Sequence, residues 1–109
     1  MESENMFPTL DAEGYLIDPL EWNEPIAIEL AIRDGITLEE DHWDVIRFMR
    51  SYYDEHQVAA DARHVIKHLS QRYASDARNR LFELFPNGGY VGQACKIAGM
   101  KRPRGWSTG

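Results

Sequence analysis

The stretch Thr37-Leu38-Glu39-Glu40-Asp41-His42-Trp43-Asp44-Val45-Ile46-Arg47-Phe48-Met49-Arg50-Ser51-Tyr52-Tyr53-Asp54-Glu55 decides the fold class. Trp43, Ile46, Met49, Tyr52 and Tyr53 recur at helical spacing, so one side of a long helix is apolar. Thr37 with Glu40 three residues later reads as a capping box. Glu39, Glu40 and Asp41 suit the positive end of the helix dipole. A helix this one-sided has to lay its apolar face against other elements.

Those elements flank it on both sides. Downstream, Ala62, Val65, Ile66, Leu69 and Tyr73 predict a helix from about Ala60 to Ala74. Ser75-Asp76 restarts a short helix through Arg80, Leu81, Leu84 and Phe85, ended by Pro86-Asn87-Gly88-Gly89. A further helix spans roughly Tyr90 to Ala98 and stops at Gly99. Met100 to Gly109 has Pro103, two glycines and no periodicity, and reads as an extended, mobile arm. Upstream, Asn23-Glu24-Pro25 opens a helix with Ile26, Leu30 and Arg33 on one face and Ile28 and Ile32 on the next, stopped by Asp34-Gly35. Phe7 to Ile17 reads as a hairpin around Asp11-Ala12-Glu13-Gly14, with Phe7 and Leu10 on one side and Tyr15 and Ile17 on the other. The expected fold is mainly α (α+β). It is a compact orthogonal bundle of about five helices with an N-terminal β-hairpin, a helix-turn-helix-like element and a flexible C-terminal arm. Residues 1–109 form one domain: tail 1–6, hairpin 7–17, helical body 23–99 and arm 100–109.

Composition narrows the function classes. With 109 residues, 43% hydrophobic and 28% charged, the chain has the mix of a globular domain, not of a disordered segment. Its single cysteine, Cys95, excludes a disulfide framework. No window approaches ~20 apolar residues, so no membrane span is expected. The start Met1-Glu2-Ser3-Glu4-Asn5 has no signal-peptide pattern, and the expected compartment is the cytoplasm. Net charge is −6, but residues 1–60 carry −12 and residues 61–109 carry +6. One end of the molecule is therefore suited to a cationic partner and the other to an anionic one.

Few residues offer chemistry. Cys95 lies on the apolar stripe Val91, Ala94, Cys95, Ala98, where a cysteine commonly serves as a small, inert, buried hydrophobe. Lys96, Lys101, Arg102 and Arg104 follow it, and nearby positive charge favours the reactive thiolate. His64 and His68 have metal-ligand spacing but no third ligand, while His42 and His56 have no evident partners. No cofactor is expected. The helices joined at Ala74-Ser75-Asp76-Ala77 resemble a helix-turn-helix, with Arg72, Arg78 and Arg80 as phosphate contacts. Gly88, Gly89 and Gly92 fit no phosphate loop, because no Gly-Lys-Ser/Thr follows.

The tail then carries a resemblance. Gln93-Ala94-Cys95-Lys96-Ile97-Ala98-Gly99-Met100 with Arg102-Pro103 is similar to the C-terminal signature of the DsrC/TusE/DsvC sulfur-relay family. Asp11-Ala12-Glu13-Gly14-Tyr15-Leu16, Trp22-Asn23-Glu24-Pro25, Gly35-Ile36-Thr37-Leu38, His42-Trp43-Asp44-Val45-Ile46-Arg47-Phe48 and Leu84-Phe85-Pro86-Asn87-Gly88 match in the expected order. The resemblance implies a small helical protein that relays sulfur, either serving dissimilatory sulfite reductase or accepting persulfide sulfur from a TusBCD-type complex for tRNA 2-thiouridine synthesis. It also implies a reactive cysteine near the end of the arm and, in sulfite-reductase partners, a second one upstream. Cys95 matches the upstream position, while Trp106 stands where the arm cysteine would be.

With one thiol, no intrachain disulfide can form. The expected function is sulfur trafficking by protein–protein contact, as a carrier or regulatory partner more than an enzyme. Cys95 is the candidate sulfur-accepting thiol, and Lys96, Lys101, Arg102, Arg104 and Trp106 are the candidate partner-binding residues. The expected partner is a sulfite reductase-like or TusBCD-like complex, with the chain itself a monomer. The alternative is a helix-turn-helix regulator that binds nucleic acid.

Overall fold

The computed structural model describes residues 8–86 and 90–100. Five helices carry the body: α1 (Glu24–Arg33), α2 (Glu40–His56), α3 (Ala62–Tyr73), α4 (Ala77–Leu84) and α5 (Cys95–Ile97). One turn of 3-10 helix at Pro19–Glu21 precedes α1, another at Ala74–Asp76 joins α3 to α4, and a π turn at Tyr90–Ala94 leads into α5. The mainly helical class expected from the sequence is the observed one. The hairpin is reduced to a single antiparallel bridge, Leu10 with Leu16. Its turn is made as the sequence suggests: the Asp11 carboxylate accepts from the backbone N–H of Glu13 and of Tyr15, and Gly14 takes φ +94°. Leu16, rather than Ile17, is the buried anchor of this segment. Phe7, the tail and residues 101–109 lie outside the described residues.

Local chemistry sets the helix ends. The Asn23 side chain accepts from Ile26 N–H and caps α1, with Pro25 in the first turn. At its other end Ile36 N–H reaches Ala31 O and Gly35 N–H reaches Ile32 O, a Schellman closure around Gly35 at φ +76°. The capping box of α2 sits two residues later than Thr37 predicts. Glu39 is the cap, and His42 supplies the return contact. Asp61 caps α3, and its carboxylate accepts from His64 N–H.

The core gathers the inner faces: Ala27, Leu30 and Ala31 of α1; Val45, Ile46 and Met49 of α2; Val65 and Leu69 of α3; Ala77, Leu81 and Leu84 of α4; Cys95 and Ile97 of α5. Trp43, Tyr52 and Tyr53, expected at the centre of α2, are only partly buried and pack around this core. Met100 is fully enclosed, so the body extends one residue into the region read as arm.

Two polar groups hold α2 to the helices packed on it. His42 Nδ1 accepts from Glu39 N–H, so Nε2 carries the ring hydrogen and donates to Leu84 O at 2.9 Å. Asp41 is nearly buried and accepts from the Tyr73 hydroxyl, from Arg72 at 2.5 Å and from Arg80 through Nε at 3.1 Å and Nη2 at 2.8 Å. The Tyr73 hydrogen bond does most to hold the Asp41 carboxyl below its ordinary pKa, working against burial and helped by Arg80 and Arg72. Because the folded pKa is depressed, the stabilisation is complete above the unfolded value of about 4 and disappears as pH falls through the folded value. An Asp41→Asn variant is expected to be about 2–3 kcal/mol less stable at pH 7 in urea melts. The gap to the native protein should narrow below about pH 4.

Candidate functional site

The end of α5 is where the molecule concentrates its unusual contacts. The chain enters through the π turn, a form that occurs mainly as single-turn insertions and frequently near functional positions. It leaves through a second Schellman closure: Met100 N–H reaches Cys95 O at 2.8 Å and Gly99 N–H reaches Lys96 O at 3.1 Å, with Gly99 at φ +74°. The carbonyls this end exposes are capped from elsewhere in the fold. Trp22 Nε1–H donates to Ile97 O at 2.9 Å. Arg50 donates from Nη1 to Ala98 O at 3.1 Å and from Nη2 to Pro19 O at 3.0 Å. The same guanidinium lies over the Trp22 ring, 4.5 Å from its centroid. A methyl group on Gly99 would come within 2.5 Å of Trp22 Cδ1, so indole and glycine are in direct contact.

Cys95 sits on the inner side of this segment and is fully buried. Burial pushes its thiol up to about 12, and the nearby Tyr90 hydroxyl opposes the shift only in part. Tyr90 is itself fully buried and donates to Ala60 O, while desolvation raises the pKa of its phenol. Gln93 is also fully buried, and its Nε2 donates to Asp34 Oδ2 at 3.3 Å. Lys96, the neighbour expected to activate the thiol, points the other way. Its Nζ is 5.5 Å from the Tyr15 ring centroid, and it lines a shallow cleft of about 230 Å³ with Leu10, Gly14, Leu30, Arg33 and Asp34. As folded, Cys95 is therefore a desolvated thiol that burial holds toward its protonated form. It has the environment of a core residue, not of a nucleophile. Lys101, Arg102, Arg104 and Trp106 lie outside the described residues.

The other sequence candidates are placed as follows. His64 Nδ1 is 2.8 Å from Asp61, and its Nε2 is 3.4 Å from the Tyr52 hydroxyl. His68 instead faces Asp44 at 3.1 Å and stacks on Phe48 at 4.5 Å. The i, i+4 pair thus turns to two different carboxylates, and no cluster of three metal ligands occurs among the described residues. His42 and His56, which have no partner evident in the sequence, contact Leu84 O and the Tyr52 ring respectively. The α3–α4 pair does form around the Ala74–Asp76 turn, but Arg72 and Arg80 are both bound to Asp41. Two of the three expected phosphate contacts are engaged inside the protein, and the nucleic-acid reading finds no support here. Sequence reasoning missed Trp22 and Arg50 as the clasp on α5. Trp22 was visible only as part of a motif, and an arginine on the polar side of a helix gives no sign of its distant acceptors.

The fold and site define a small helical protein whose last described helix, α5, is clamped by Trp22 and Arg50. The sequence matches the family described as DsrC like protein over residues 3–106, and the chain belongs to that family. It is 41% identical over 105 residues to the sulfurtransferase TusE of Yersinia pseudotuberculosis, covering 94% of this chain and 96% of that one. It is 38% identical over 95 residues to TusE of Escherichia coli K12, covering 85% and 86%. Among solved structures it is similar to the oxidized gamma-subunit of the dissimilatory sulfite reductase (DsrC) from Archaeoglobus fulgidus, with TM-score 0.79, 35% identity and 90% of each chain covered. It is also similar to DsrC of Allochromatium vinosum, with TM-score 0.76, 36% identity and 89% and 88% coverage.

Two outcomes are expected from this geometry. Iodoacetamide at pH 8 should leave the native thiol unmodified, with a rate about a thousandfold below that of an exposed cysteine, and urea should restore ordinary labelling. Gly99→Ala should lower the melting temperature and change Trp22 fluorescence, since the new Cβ meets the indole and φ is positive.

Proposed function

We propose that this protein acts in sulfur relay as a docking member of the DsrC-like family, recognised through its folded surface, and that it does not carry sulfur on Cys95. The observation that carries this reading is the burial of Cys95 with its thiol pushed up to about 12. A relay thiol must reach a donor and be substantially deprotonated, and the folded body supplies neither condition. By the resemblance, Trp106 stands where the family's arm cysteine would be, and it has no thiol. Tryptophan is a strong interface anchor, with a large apolar face and one N–H donor. Lys101, Arg102 and Arg104 add positive charge before it. Partner proteins would be a sulfite reductase, of which a similar solved protein is named the gamma-subunit, or a complex of the TusBCD type, as the family resemblance implies. Cytoplasmic residence fits this role, and no described helix is long and apolar enough to cross a membrane.

The test is paired. Native protein incubated with glutathione persulfide should show no added sulfur by intact mass, whereas urea-unfolded protein should. Binding to purified TusBCD-type complex and to purified dissimilatory sulfite reductase should be retained by Cys95→Ala at one of the two and reduced by Trp106→Ala. A native sulfur adduct that disappears in Cys95→Ala would restore the carrier reading, and absence of binding to both complexes would remove the docking reading.

A further inference from the structure

α1 is unusually thin on its inner side and unusually apolar on its outer side. The residues it buries are Ala27, Leu30 and Ala31, two of them the smallest side chain that can fill a helix interface. This lets α1 lie close against α5, the element that carries the C-terminal segment. On the opposite side Ile28 and Ile32, one turn apart, are 45% and 62% exposed. Pro25 is exposed as well and shares their face at helical spacing. Burying two isoleucines is worth roughly 1.5–3 kcal/mol each, so leaving both in water forgoes stability that the fold could otherwise have used.

Charge specifies what could cover this stripe. Residues 17–33 contain Asp18, Glu21, Glu24 and Glu29 against Arg33 alone, a local net charge of −3. Asp18, Glu21 and Glu24 are exposed, while Arg33 is paired with Glu29 at 3.1 Å. Among the described residues Asp18, Glu21 and Glu24 have no ion-pair partner, though Asp18 accepts from Leu20 N–H, and these acids gather at the N-terminal end of α1, beside Trp22 and the carbonyl of Pro19 that Arg50 holds together with Ala98. The root of the C-terminal segment thus lies at the same end as the acids. A second copy is disfavoured as the occupant. Self-pairing on this face would bring two patches of −3 together, a like-charge juxtaposition that a basic-rimmed partner avoids.

We propose that the outer face of α1 is a docking surface for a partner protein that offers an apolar groove with lysine or arginine at the rim facing Glu21 and Glu24. This inference rests on the docking reading above and names the surface that reading needs. Engagement of α1 would hold the partner beside the Pro19 and Ala98 carbonyls that Arg50 bridges.

The experiment measures the affinity of the native protein, Ile28→Asp/Ile32→Asp and Glu24→Lys for the same two purified complexes across a salt series. Circular dichroism should stay native-like and the melting temperature should fall only modestly, because Ile28, Ile32 and Glu24 are largely exposed while Glu24 also complements the start of α1. The double variant should bind at least about tenfold more weakly. Glu24→Lys should bind several-fold more weakly and show a flatter salt dependence. Native binding that neither variant alters would overturn the docking surface while leaving the docking reading intact. Failure of the native protein to bind either complex would overturn both. Sedimentation of the native protein as a dimer that the isoleucine substitutions dissociate would assign the stripe to a second copy and overturn the proposal.

Discussion

One guanidinium closes this fold. Arg50 projects from the middle of α2 and satisfies carbonyls from two distant segments, Pro19 before α1 and Ala98 after α5, while lying on the ring of Trp22. A helix end leaves acceptor carbonyls that water or a side chain must satisfy, and burying them unmet costs about 1–3 kcal/mol each. Here a planar fork can serve two acceptors at once, which a lysine's point charge could not do with the same geometry. Burial lowers the Arg50 pKa, a measure of the desolvation that these contacts offset. With Trp22 bound to Ile97 O and pressed on Gly99, the backbone at the end of α5 is held from its outer side.

Helix existence was legible in the sequence wherever one face is apolar and the other polar. α2 and α3 are the clear cases, and Val65 and Leu69 are buried as their spacing predicts. α1 was harder, because Ile26, Ile28, Leu30 and Ile32 alternate in a way that fits either side of a helix. The structure resolves the ambiguity by burying the alanines, which give a weaker hydrophobic signal than the isoleucines left outside. Asp41 was read as a complement to the helix dipole, yet it is the common acceptor for Tyr73, Arg72 and Arg80. A carboxylate's position in a helix says nothing about donors some thirty residues away. The π turn was invisible for another reason: it depends on how the segment is packed between neighbours, not on its own composition.

The candidate site was legible as a location and misleading as chemistry. Family motifs directed attention to residues 93–100, whose end is held by a Schellman closure, Trp22 and Arg50. Basic neighbours in the sequence suggested an activated thiol, but helical geometry sends Lys96 to Tyr15 while Cys95 faces inward. Adjacency along a chain is not adjacency of charge. The desolvation that follows from an inward-facing position outweighs whatever the nearby lysine contributes.

The enclosed sulfur has a practical consequence. A sole thiol enclosed in the folded core is shielded from disulfide exchange while the fold holds, so cross-linking on standing should require unfolding. Peroxide should likewise leave the sulfur reduced until the fold opens, since oxidation follows exposure and thiolate character.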